Sequence, residues 1–201
     1  DINDVINTKL SPKSEELLRQ KINQSSGISP ILRNEIQISN YVKNISDEEI
    51  NRLIMSGDIK SRSDLENMLK RFSKNPRNAQ TISNSNLSPQ NDAVLIPNGT
   101  NIVSEAHEIL GHGTRLTNGD EVLNPARNAN YLHPNFHIRT EQAANDNVRK
   151  ISNELKLPQE DLEKLNKALD KQEKATILSE YGNAFHICHQ IHRPEFLPLP
   201  K

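Results

Sequence analysis

His107-Glu108-Ile109-Leu110-Gly111-His112 sets two imidazoles five positions apart, with a carboxylate directly after the first. Neutral imidazole nitrogens and a carboxylate oxygen are the donors that zinc takes. A closed structural site would have no use for Glu108. Beside a metal-activated water, however, a carboxylate serves as general base, taking a proton and later delivering it to a leaving amine. The spacing raises a geometric objection. Four residues of regular helix turn about 400° and leave two side chains about 40° apart, whereas five turn about 500° and leave about 140°. Extruding one residue as a π-bulge removes the mismatch, and Gly111 lets the backbone distort at little cost. The other solution ends the helix at Gly111, so that His112 swings in from its last turn.

A catalytic site that keeps one coordination position open needs one further protein ligand. Glu141 is the candidate. It opens the next helix, within Arg139-Thr140-Glu141-Gln142-Ala143-Ala144-Asn145-Asp146-Asn147, and at helical spacing it shares a stripe with Ala144, Val148 and Ile151. A carboxylate on a buried stripe is costly unless it is paired or bound to metal. The competing reading places Glu141 merely at a helix N-terminus, where the macrodipole favours acids, or pairs it with Arg139 or Arg149. Hydrolysis of a peptide also builds an oxyanion that a Tyr, His or Arg commonly stabilises. Tyr131 and His137, on the approach to Glu141, are favoured for that catalytic role over His133, Arg139, Tyr181 and His186. His186, His189 and His192 recur every three residues, and with Cys188 they offer donors for a second metal. A plain His-bearing helix face is the favoured reading there.

These residues need elements to hold them. A helix is expected from near Asn101 to about His112, with Val103, Ala106, His107 and Leu110 on its inward face and Gly113 as its stop. Ala93-Val94-Leu95-Ile96 is a short apolar run between turn residues, hence a strand, and the candidate edge for pairing with an extended substrate. Residues 114–138 read as mostly loop, followed by helices at about 139–155, 159–170 and 174–190 and a Pro-rich extended tail. Upstream, residues 1–75 read as a polar helical region. Ser14-Glu15-Glu16 opens a first helix, Ser46-Asp47-Glu48-Glu49 is a capping box, and Gly57 is a C-terminal stop. Ser63-Asp64-Leu65-Glu66 is a second box, whose helix ends before Asn75-Pro76. Residues 76–92 form a polar linker or loop, leaving 93–201 as the core that carries the chemistry.

His-Glu-Ile-Leu-Gly-His-Gly at 107–113 closely resembles the metal-binding helix of the dipeptidyl peptidase III family, which has the same longer spacing and a downstream Glu. Outside the motif the chain departs from that family: it is far shorter, and the paired acids of the family's second motif stand here as Glu141-Gln142. The layout over roughly 93–155, with Glu141-Gln142-Ala143-Ala144 followed by Asn147 and Arg149, is more similar to compact metallopeptidase domains of bacterial effectors and toxins. The resemblance implies His107, His112 and Glu141 as zinc ligands and Glu108 as base. It implies a secreted toxin acting on a protein inside a target cell, with an immunity or inhibitor protein as a further partner. The expected fold is α+β, mainly helical, with a short sheet beside the zinc-binding helix, as in zincins.

Composition narrows the alternatives. A formal net charge of −1 gives no whole-chain case for nucleic acid or an anionic membrane. With 33% hydrophobic residues, 201 residues support one small core. The lone Cys188 excludes an internal disulfide framework. No run reaches the roughly 20 apolar residues of a membrane span, and Asp1-Ile2-Asn3-Asp4 does not open a signal peptide. Two rival functions stay open. One is a zinc amidase acting on a non-protein amide such as peptidoglycan. The other is a non-catalytic helical binding domain in which the His-Glu motif is coincidental.

Overall fold

The computed structural model describes residues 7–25, 30–117 and 136–182; the side chains of 116, 136–137 and 178–182 lie outside the description. Helix α1 (Pro12–Gln24) starts where Ser11 accepts a hydrogen bond from the Ser14 amide and Pro12 supplies a preset φ. This start is two residues earlier than Ser14. Strand β1 (Ile31–Leu32) follows. Helix α2 (Glu35–Asn44) is capped by Asn34. Helix α3 (Asp47–Met55) carries the expected capping box, with Ser46 and Glu49 satisfying each other's backbone amides. Gly57 follows it at φ 83, a conformation that L side chains rarely adopt. Helix α4 (Arg62–Phe72) is capped by Ser61 rather than Ser63, because the Ser61 hydroxyl is the one that reaches the Asp64 amide.

The polar stretch expected as a loop contains strand β2 (Gln80–Ile82), and strand β3 (Ala93–Leu95) lies where the apolar run predicts it. The sheet order is β1-β3-β2, with β3 parallel to β1 and antiparallel to β2. β3 is therefore the central strand, not an edge, and its two flanks are already paired; the expectation that it receives a substrate backbone is corrected. This placement also explains its composition. A strand covered on both faces reads as a continuous apolar run rather than an alternating one.

The period of two along these strands divides the interior. Ala93 and Leu95 join Leu32, Ile38, Val42, Leu53, Leu69 and Ile82 on the side of α2, α3 and α4. Val94 joins Leu10, Leu18, Ile22, Ile102, Val103 and Leu110 on the other side. Thr81 pairs with Val94, and its neighbour Ile82 faces the opposite cluster, so β2 presents Thr81 towards the second group.

Helix α5 (Ile102–Ala106) passes without a break into a π-helical segment, His107–Gly113, and then into α6 (Thr114–Thr117). Gly113 does not stop the helix. Helix α7 (Phe136–Glu154) packs against the π segment, and α8 (Gln159–Gly182) packs against α7. The two helices expected at 159–170 and 174–190 are one helix within the described residues, because no Gly or Pro interrupts Lys171-Gln172-Glu173. Asp161, near the start of α8, accepts from the Ser11 amide at 3.0 Å, tying the beginning of α8 to that of α1. No described helix is long and apolar enough to cross a membrane. The whole is α+β and mainly helical, with a small mixed sheet.

Candidate metal centre

The π segment answers the spacing objection. Its i→i+5 bonding adds a residue to each turn, so positions five apart return to nearly the same side. The Thr114 amide, for example, donates to the Ile109 carbonyl. The irregularity is supported by side chains: Thr114 Oγ1 also donates to Ile109 O at 3.2 Å, and Asn147 Nδ2 on α7 donates to Leu110 O at 2.7 Å. Gly111 also has a steric role. A Cβ placed there would lie 3.0 Å from both the Cβ and the carbonyl oxygen of Ala144. Its missing side chain is what lets α7 approach the segment closely, carrying Glu141 to the histidines.

His107 and His112 face each other edge-on, with ring centroids 4.7 Å apart and their Nε2 atoms 3.1 Å apart. Glu141 closes the group: Oε2 is 3.1 Å from His107 Nε2, and Oε1 is 3.3 Å from His112 Nε2. One ligand atom from each of the three lies within 4.8 Å of the others, a cluster close enough to bind a metal. His107 is 7% exposed and His112 4%, so water does not solvate these lone pairs freely.

The donor set fits a divalent cation on a further ground. Asn145 Nδ2 donates to Gln172 Oε1 at 2.7 Å and to Glu173 Oε1 at 3.2 Å, which fixes the orientation of its amide. Asn145 Oδ1, 2.7 Å from His107 Nδ1, must then accept that ring's proton. In the neutral ring this leaves the His107 Nε2 lone pair aimed at Glu141 and His112, the arrangement in which an imidazole ligates a metal. Two imidazoles and one carboxylate leave coordination positions for water or substrate.

Electrostatics agree. Burial alone would push the His107 pKa down, but the charge and hydrogen bond of Glu141 outweigh it and hold it above the ordinary imidazole value. Burial would likewise raise Glu141, yet His112 and His107 beside it hold the carboxyl well below the usual range. A metal and a proton compete for the same lone pair.

Glu108 is 8% exposed, and its Oε1 lies 3.9 Å from His107 Nε2. Its other oxygen, Oε2, accepts from Thr81 Oγ1 at 2.9 Å. Strand β2 thus orients the carboxylate that follows the first histidine. Arg149, an alternative partner weighed for Glu141, pairs instead with Asp146, Asp170 and Glu173. Tyr131, His133, His186, Cys188, His189 and His192 lie outside the described residues. His137 and Tyr181 lie within α7 and α8, with their side chains outside the description.

Three residues that the sequence reading gave no role bear on the site: Thr81, Asn145 and Gln172. Asn145 falls four positions after Glu141 on the same buried stripe, and Gln172 continues the Leu165, Leu169 stripe of α8 with a polar group. A polar residue on an apolar stripe is the signal that could have found both. Nothing distinguishes Thr81 within its polar surroundings. No protein-family model matches the chain, and neither does any curated protein or solved structure.

Proposed function

We propose that this chain is a zinc-dependent peptidase, with His107, His112 and Glu141 as metal ligands and Glu108 as general base. The observation that carries the reading is the convergence of three donor groups on one point, with a second carboxylate at its margin. A His/His/Glu set with open positions is a donor set of catalytic zinc sites, and a carboxylate beside it, Glu108, suits metal-assisted hydrolysis. When bound, it would supply Lewis acidity towards a carbonyl oxygen and acidify a water molecule.

The chain's own residues account for the rest. Asn145 keeps the His107 proton on Nδ1 and so keeps Nε2 free to donate its lone pair. Thr81 holds Glu108 Oε2, leaving Oε1 as the atom that takes up and releases a proton. Burial of His107 and His112, with Glu141 only slightly exposed, limits competing water. The sequence resemblance supports a protein target and a secreted effector or toxin as the setting.

The test is cleavage of unfolded protein, folded protein and cell-wall fragments by the zinc-loaded chain, beside Glu108→Gln. The expected result is proteolysis by the wild type. In the variant it should fall by roughly 10²- to 10⁴-fold, the usual contribution of general acid–base catalysis, with zinc content unchanged. Undiminished proteolysis by Glu108→Gln would sink the assignment. Cleavage of cell-wall amides alone would move the activity to a non-protein substrate.

A further inference from the structure

We propose that Gln172, on α8, is a positioning residue of this centre: its single side-chain amide fixes Glu141 directly and, through Asn145, the lone pair of His107. The inference rests on the metal-centre reading above. Gln172 Nε2 donates to Glu141 Oε2, and Gln172 Oε1 accepts from Asn145 Nδ2 at 2.7 Å. Asn145 Oδ1 in turn holds His107 Nδ1, and His107 Nε2 faces Glu141 Oε2 at 3.1 Å. The four side chains close a ring that spans the π segment, α7 and α8.

The orientation of the Gln172 amide is determined by its neighbours. Flipped, its carbonyl oxygen would meet the Glu141 carboxylate and its NH₂ would meet the NH₂ of Asn145, so both contacts would turn repulsive. The same logic fixes Asn145, and with it the tautomer of His107. Glu141 therefore depends on this amide directly, and His107 depends on it jointly with Glu173, whose Oε1 also accepts from Asn145 Nδ2 at 3.2 Å; among the described side chains α8 contributes no ligand. Partners that orient first ligands in this way typically change metal affinity by roughly 10- to 100-fold when removed.

The position on α8 is also informative. Ala168 and Leu169 are buried in the apolar cluster around the π segment, and Gln172 is where that face turns polar, opposite Glu141. A residue serving only to fill this space would be apolar. An amide with both ends engaged is suited to holding a donor and an acceptor at fixed separation.

The test compares zinc affinity, by chelator competition, in the wild type, Gln172→Met, Gln172→Ala and Lys174→Met. Methionine nearly matches glutamine in shape and makes neither hydrogen bond. Lys174 is exposed on the same helix and serves as the control. Gln172→Met is expected to weaken zinc binding roughly 10- to 100-fold, with helical content retained and Lys174→Met unchanged. Adding Asn145→Ala to Gln172→Met should weaken binding further, because Glu173 still turns Asn145 Oδ1 towards His107 after the first change.

A second readout needs no metal. At alkaline pH the ¹⁵N shifts of His107 should report a proton on Nδ1 in the wild type and a larger share of the Nε2–H tautomer in Gln172→Met, where Glu173 is left to orient Asn145. Unchanged affinity and an unchanged tautomer in a folded Gln172→Met or Gln172→Ala would overturn the proposal. A wild type that takes up no zinc would sink the metal-centre reading instead, and the tautomer measurement would still decide what Gln172 does.

Discussion

Two carboxylates taken out of water, one on each side of the sheet, are kept in contrasting ways. On the side of α2–α4, Glu49 is surrounded by fixed donors. The Ser88 amide reaches it at 2.5 Å, Asn91 Nδ2 lies 3.0 Å from each of its oxygens, and Ser46 Oγ donates at 2.9 Å. Burial pushes this carboxyl up, but those hydrogen bonds prevail and lower its pKa to about 2. On the other side, Glu141 receives the Gln172 amide and otherwise faces two imidazole nitrogens that are themselves donors to metals. The lesson concerns what each group still requires. Glu49 is complete with the chain's own atoms. Around Glu141, lone pairs converge, and only positive charge among them relieves their repulsion.

The largest way to sharpen this contrast is to supply that charge. At free zinc about 1,000-fold above the dissociation constant, the folded state should gain about 4 kcal/mol, and a chelator should remove the gain. Calorimetry with and without zinc reads this directly. The same increment in Glu49→Ala would show that the two acids are independent.

Next comes the close approach that delivers Glu141. Gly111→Ala places a methyl 3.0 Å from Ala144 Cβ and Ala144 O, and the backbone oxygen cannot rotate away. The expected loss in urea unfolding is about 1–3 kcal/mol, together with weaker metal binding. Full stability in that variant would mean α7 does not sit so near the π segment. Glu49→Ala should cost a similar or smaller amount, about 1–3 kcal/mol, by leaving the donors around it unpaired. Its metal content should not change.

The pH dependence follows with a definite sign. The folded-state pKa of Glu49 is depressed, so its contribution is fully present above the ordinary value of 4.5. It is lost as pH falls from there through about 2. Acid titration of stability should therefore be shallower in Glu49→Ala than in the wild type over that range. The smallest effect is reserved for Thr81→Val, which removes one hydrogen bond from Glu108. Proteolysis should fall by less than about tenfold, the worth of one ordinary hydrogen bond, with zinc affinity unaltered.

Much of the site was legible because its chemistry is local. His107, Glu108 and His112 stand within six consecutive residues, and the mismatch of a five-residue spacing with a regular helix pointed either to a π-bulge or to a helix end at Gly111; the fold contains a π segment. Glu141 was legible as an acid on an apolar stripe. The sheet was read less fully. Ile31–Leu32 and Gln80–Ile82 are too short to show a period, and their pairing with Ala93–Leu95 depends on contacts distant in sequence. Ala93–Leu95 itself was found, but its central position was not, since an apolar run of that length does not say which neighbours cover it. Asn145 and Gln172 were missed for the same reason: their partners lie on other helices, and only the folded chain brings amide, imidazole and carboxylate together.

The most direct test of the central claim is elemental analysis of the purified chain after exposure to zinc and desalting, beside His107→Ala and Glu141→Ala. The account predicts one zinc per chain in the wild type and its loss in both variants. No zinc in the wild type, or zinc undiminished in the variants, would contradict it.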